Sequence, residues 1–153
     1  MIITRYSDGK YTTHWRTTMQ ISQNNTVEML LDTGSSISTV NSISLETLYK
    51  MFHNDFSNYI RSTSLDLQES KLANSSRINL YGIYLRNVII GGVFLPSIKL
   101  YTSIDSEINN LIGMDIIRCC ELYINGDYGS CTFDLEKYNP NISGCCEIKS
   151  LLL

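Results

Sequence analysis

One stretch of the sequence concentrates groups that could do chemistry: Met29-Leu30-Leu31-Asp32-Thr33-Gly34-Ser35-Ser36. An apolar run ends in an acid and is followed at once by a hydroxyl, a glycine and two more hydroxyls. This order presents a carboxylate at the mouth of a buried strand, on a tight loop. Gly34 lets the backbone come close enough for its N–H to reach the acid, and the Thr33 and Ser35 hydroxyls can hydrogen-bond around it. A carboxylate so held serves as a general acid or base when a second group shares its proton. About eighty residues downstream, Asn110-Leu111-Ile112-Gly113-Met114-Asp115-Ile116-Ile117 repeats the theme of an apolar pair, a glycine and an acid.

Other constellations carry less. His14 and His53 have no second histidine or acid at metal-ligand spacing, and Cys-x-x-Cys is absent, so neither a metal nor a cofactor is expected. Cys119, Cys120, Cys131, Cys145 and Cys146 are odd in number and largely adjacent, which suits reduced, buried thiols better than disulfides. The Gly-x-Ser-x-Gly elbow of serine hydrolases and any phosphate-cradling glycine loop are missing.

The elements that must position these acids read mostly as strands. Tyr11 to Gln23 and Thr26 to Leu31 form a hairpin about a polar turn, and Asp8-Gly9 folds the first residues back on it. A helix is predicted over 44–52, with Ser44 as its N-cap and Leu45, Leu48, Tyr49 and Phe52 at helical spacing. From Phe56 to Asn79 the chain is polar, with only weak alternation. Apolar strands follow at 78–85, 88–90 and 93–101, turned by Gly91-Gly92, and Pro96 marks an edge or a bulge. A short helix over 113–120 and a closing hairpin, 121–125 with 130–135, complete an all-β class with two short helices.

Composition bounds the function. A chain of 153 residues suits a single domain with one core, and 43% hydrophobic against 18% charged residues favours a folded protein. Serine, threonine and asparagine, at 19, 12 and 13 residues, supply the polarity that charges usually provide. A net charge of −3 with no lysine or arginine cluster argues against nucleic acid and against a polybasic membrane contact. The longest apolar run, Val88 to Leu95, is too short to span a bilayer, and the N-terminus lacks the apolar core of a signal peptide. The expected location is therefore cytoplasmic, with no membrane partner.

Taken together, Leu-Leu-Asp-Thr-Gly-Ser-Ser and Leu-Ile-Gly-Met-Asp resemble the catalytic loop and the C-terminal strand-to-helix motif of the retropepsin-like aspartic proteases, the single-lobed relatives of retroviral protease. The resemblance spans roughly Thr12 to Leu135 and leaves 139–153 as a C-terminal extension of one domain, 1–153. It implies a small closed β-barrel of the retropepsin type, active on a peptide or protein substrate as a homodimer. Asp32 of each chain would supply half of a dyad that shares one proton. Thr33 would brace the partner loop, Gly34 would give the turn, and Ser35 would donate to the outer oxygen of Asp32. A substrate-binding flap would lie between Ser64 and Leu80, with its tip at Ala73, Asn74 and Ser75, although no glycine falls between Gly34 and Gly82. Gly113 and Asp115 would be structural, tying the short helix to the barrel. The alternative is a non-catalytic dimerisation or peptide-binding domain of the same fold. Intact Asp32, Thr33, Gly34 and Ser35 favour the enzyme, because a binding module needs no charge-repelling acid pair.

Overall fold

The computed structural model describes residues 2–7, 13–22, 25–64, 66–71, 75–119, 121–125, 130–134 and 147–148. Alternation sets the first ladders. In β3 (Asn25–Leu31) Val27, Met29 and Leu31 are buried while Thr26 and Glu28 face outward, the period of two that a half-buried strand requires. It pairs antiparallel with β2 (Thr13–Ser22) from Trp15↔Leu31 to Ser22↔Asn25, with a register irregularity between Gln20 and Ser22. On its other side β2 meets β1 (Ile2–Ser7).

The middle of the chain builds a second group. β4 (Asp66–Lys71) pairs with the outer half of β5 (Arg77–Ile90), and β5 pairs with β6 (Val93–Thr102) about the Gly91-Gly92 turn. Both glycines have positive φ, 56° and 85°, which explains their place there. The two strands predicted at 78–85 and 88–90 are one. The β5–β6 ladder is interrupted opposite Pro96, where Asn87 takes a left-handed φ of 56°. The β5–β6 ladder starts at Tyr81↔Thr102, whereas β4–β5 pairing continues to Lys71↔Arg77. Residues 77–80 of β5 therefore pair with β4 alone, as a two-stranded arm that projects past the end of β6.

β7 (Leu111–Ile112), β8 (Glu121–Asn125), β9 (Ser130–Asp134) and β10 (Glu147–Ile148) complete one mixed sheet of ten described strands. Its main path runs β10-β5-β2-β1-β9-β8, with β3 joined to β2 and β7, and β4 and β6 joined to β5. Among the described residues these ladders remain an open mixed sheet, and a closed barrel is not formed by them. β10 lies within the stretch expected as an extension, and it pairs in parallel with Tyr84 and Leu85.

The described residues hold three helices, where two were expected. α1 (Ser42–Tyr49) starts two residues before the predicted boundary because Asn41, not Ser44, is its cap: the Asn41 side chain accepts the Ile43 N–H at 2.8 Å. It ends at Lys50, in the left-handed region with φ 54°. Phe52, expected on the buried stripe of that helix, is 84% exposed and instead precedes α2 (His53–Thr63). α2 lies in the stretch expected to be polar and weakly alternating; it buries Phe56, Ser57 and Ile60 and packs Tyr59 on the core, a stripe at helical spacing. α3 is the single turn Met114–Ile117, shorter than the 113–120 expected. Leu45, Leu48 and Tyr49 of α1 and Phe56 and Ile60 of α2 pack with Met29, Ile83 and Leu85 in one apolar core. Each fully buried aliphatic side chain there contributes about 1.5–3 kcal/mol over an exposed one.

Candidate functional site

Asp32 follows directly on β3 and is half-buried, with Thr33 and Gly34 exposed beside it. The strand carries the acid to this position because β7 runs parallel alongside it. Leu30 N–H donates to Asn110 O at 2.8 Å and Asp32 N–H to Ile112 O at 2.9 Å. The loop then closes on itself. Gly34 N–H donates to Asp32 Oδ1 at 2.8 Å, and Ser35 N–H reaches Asp32 O at 3.3 Å. A Cβ on Gly34 would stand 3.2 Å from Asp32 Oδ1, so the absent side chain gives the carboxylate its room. The Ser35 hydroxyl does not bond the Asp32 carboxylate. Its Oγ donates to Ile37 O at 2.7 Å, which stiffens the loop's exit instead.

The downstream motif clamps that exit. Thr39 exchanges backbone bonds with Leu111, 3.0 Å for its own N–H and 2.9 Å for the return, so β7 is held between β3 and the chain leaving the loop. Asp115 accepts Ser38 N–H at 3.0 Å, Ser38 Oγ at 2.6 Å and Ile116 N–H at 2.9 Å. Ser38 Oγ also accepts Gly113 N–H at 2.8 Å, and Met114 N–H donates to Ser35 O at 2.8 Å. Gly113 is packed so closely that a Cβ would lie 2.4 Å from Ile37 O and 2.9 Å from Ser35 O, both backbone atoms. Asp115 thus faces the loop's exit rather than the Asp32 carboxylate, through bonds that span 77 positions of sequence.

A cleft of about 270 Å³ opens beside the loop, lined by Ser35, Ile37 and Thr39 on one side and Ser70, Ile78 and Leu80 of the β4–β5 arm on the other. Ile108 and Leu111 also line it. A larger cleft of about 680 Å³ lies between the β2–β3 hairpin and α1, lined by Arg16, Glu28, Ile43 and Thr47 among others. None of its lining residues belongs to the 32–39 loop. Of these two clefts, the smaller adjoins the 32–39 loop, through Ser35, Ile37 and Thr39. Of the flap-tip residues, Ala73 and Asn74 lie outside the described residues, and Ser75 is exposed with φ 69°.

Several residues of this site had no sequence signal of their own. Ser38 and Thr39 were visible only as more hydroxyls in a hydroxyl-rich run. Tyr101 is one of ten tyrosines, with nothing in its neighbours to set it apart, yet its N–H donates to Ser38 O and its C=O accepts Val40 N–H, both at 2.9 Å. Among the described residues no group of three or more histidine, cysteine, aspartate or glutamate side chains could hold a metal ion. No described helix is long and apolar enough to cross a membrane.

No protein-family model matches the chain, and no curated protein matches it. Among solved structures, the chain is similar to the crystal structure of a retropepsin-like aspartic protease from Rickettsia conorii. The two share 18% sequence identity over 87% of this chain and 88% of that chain, with a TM-score of 0.55. At this identity the likeness is one of fold.

Proposed function

We propose that this chain, as one domain over 1–153, is a retropepsin-like aspartic endopeptidase that works as a homodimer, each subunit contributing Asp32. The observation that supports this reading is the placement of Asp32. It sits at the end of β3 on a loop closed by Gly34 and clamped by β7 and α3, in a fold shared with an aspartic protease. Two such carboxylates brought together across a twofold axis cannot both ionise cheaply, so they hold one proton between them. The ionised member takes a proton from a water, whose oxygen attacks the scissile carbonyl carbon. The protonated member hydrogen-bonds the carbonyl oxygen, and the leaving nitrogen later collects a proton as the C–N bond breaks. Thr33 and Gly34 serve the loop, Ser35 fixes its exit, and the extended peptide lies between the loop and the β4–β5 arm, its backbone paired with the arm.

Asp32→Asn tests the reading. It abolishes cleavage of a peptide library while leaving thermal stability near that of the wild type; cleavage that survives would overturn the dyad. Specific activity falls steeply on dilution, because each subunit holds half the site. If wild type and Asp32→Asn both bind peptides and neither cleaves, the chain is a peptide-binding module of the same fold.

A further inference from the structure

The two-stranded arm has a problem that its own strands do not solve. An isolated two-stranded ribbon is marginal in water, yet residues 68–71 and 77–80 extend beyond β6, and one face of this arm forms a wall of the cleft. Support comes one row inside the point where three strands become two. There Asp66 of β4, Gly82 of β5 and Tyr101 of β6 lie side by side in register. Gly82 carries no side chain between its neighbours: a Cβ there would stand 2.9 Å from Asp66 Cβ and 3.1 Å from its Oδ2. The Asp66 side chain uses that space to reach across the middle strand. Lys99 Nζ donates to Asp66 Oδ2 at 2.5 Å, and the Tyr101 hydroxyl donates to the same oxygen. Gln68 Nε2 donates to the Tyr101 hydroxyl at 3.1 Å, and the Lys99 ammonium lies 5.1 Å from the Tyr101 ring centroid. Ser64 Oγ lies 3.0 Å from both Asp66 O and Gly82 O, so its single hydroxyl proton is shared between carbonyls of both strands at the same row.

We propose that Asp66, Lys99 and Tyr101 form a latch across Gly82 that fixes the root of the arm and so holds Ile78 and Leu80 against the chain leaving the Asp32 loop. The Tyr101 ring belongs, with Ile78 and Leu80, to a small apolar cluster outside the main core, on which Ile37 and Ile108 pack. Through its backbone bonds to Ser38 and Val40, Tyr101 also joins this cluster to the loop's exit. The three latch residues are thus positioning residues for an extended peptide. That part of the inference rests on the protease reading, whereas the fixing of the arm does not. The charges agree with the geometry. Burial alone would raise the Asp66 carboxyl, but the hydrogen bonds from Lys99 and Tyr101 and the Lys99 charge outweigh it and hold the group below the usual carboxylate range.

Three variants test the latch. Tyr101→Phe keeps the ring and removes the hydroxyl, Lys99→Met keeps the stem and removes the charge, and Gly82→Ala displaces Asp66 without altering any latch group. Hydrogen exchange in the full chain reads the arm directly. Amides of residues 67–71 and 78–80 lose protection by roughly tenfold, the scale of one charge-assisted bond, while core amides such as that of Leu85 keep theirs. Lys99→Arg restores much of what Lys99→Met loses. On a cleaved peptide, Tyr101→Phe and Lys99→Met raise KM by about three- to tenfold, with a smaller change in kcat. Unchanged arm protection in all three variants, or an equal loss across the whole sheet, overturns the latch. A loosened arm with unmoved KM overturns the positioning role. Wild-type protein that neither cleaves peptides nor binds a statine-containing peptide overturns the protease reading, and the exchange data still judge the latch on their own.

Discussion

Removing the Asp115 carboxylate is the most informative single perturbation of the site's frame. Its two oxygens take Ser38 N–H at 3.0 Å and Ser38 Oγ at 2.6 Å, across 77 positions of sequence, together with Ile116 N–H at 2.9 Å. Asp115→Ala deletes the acceptor for all three, and Ser38 is fully buried, with no solvent at its own position to replace it. A hydrogen bond to a charged group contributes about 1.5–3 kcal/mol, so the two long-range bonds together hold about 3–6 kcal/mol. Ser38 Oγ keeps the Gly113 N–H, and Asp115 is itself half-buried so water reaches part of the gap, which places the loss at about 3–4 kcal/mol. For a chain of this size each kcal/mol lowers Tm by about 2–4 °C, so thermal unfolding by circular dichroism should move down by about 6–16 °C. Urea unfolding checks the same number at 25 °C. Asp115→Asn, which keeps one acceptor oxygen, should lose about half as much. Below its own Tm, the Asp115→Ala protein should retain cleavage that Asp32→Asn lacks. A loss below about 1 kcal/mol would refute the clamp, and a fully folded but inactive Asp115→Ala would place Asp115 in the chemistry itself.

Two further predictions follow from the same geometry. Gly113→Ala drives a Cβ to 2.4 Å from Ile37 O and 2.9 Å from Ser35 O. Because both are backbone atoms that cannot rotate away, it should cost about 1–3 kcal/mol or more and lower activity by displacing the loop. A urea midpoint equal to that of the wild type would show that the loop yields freely. The latch should also weaken in acid. Because the folded Asp66 carboxyl titrates below its ordinary value, its contribution is complete above the unfolded carboxyl's range, about pH 5, and is lost as pH falls through the lowered folded pKa. The stability difference between wild type and Asp66→Asn should therefore shrink as pH falls from 6 to 3, and a constant difference over that range would contradict this account.

Legibility followed the range of the interaction. The β2–β3 hairpin was readable because Val27, Met29 and Leu31 alternate with outward residues, a signal carried by a few neighbouring positions. The Gly91-Gly92 turn was readable for the same reason: positive φ at both positions suits glycine. α2 was missed: Phe56, Tyr59 and Ile60 recur at helical spacing, but they stand sparsely among polar residues. The cap of α1 was misplaced onto Ser44 because serine and asparagine are equally good caps. What favours Asn41 is its wider set of bonds: its Nδ2 donates to Ile108 O at 2.8 Å and its N–H to Asn110 Oδ1 at 2.7 Å. Ser35 was expected to turn toward Asp32, but once the loop is formed its hydroxyl donates to the carbonyl of Ile37.

From the residues alone came the acid at the end of an apolar strand and the glycine that gives it room; the family resemblance tied the second motif to them. These are properties of short segments, where steric freedom, alternation and hydrogen-bonding capacity act between neighbours. Tertiary structure alone decided what each acid faces. It set Asp115 on Ser38 rather than beside Asp32, and it brought Asp66 across Gly82 to Lys99 and Tyr101. Those contacts join residues 33 to 77 positions apart, and a side chain's partner at that distance is fixed by strand register and packing, which emerge only when the whole sheet has formed.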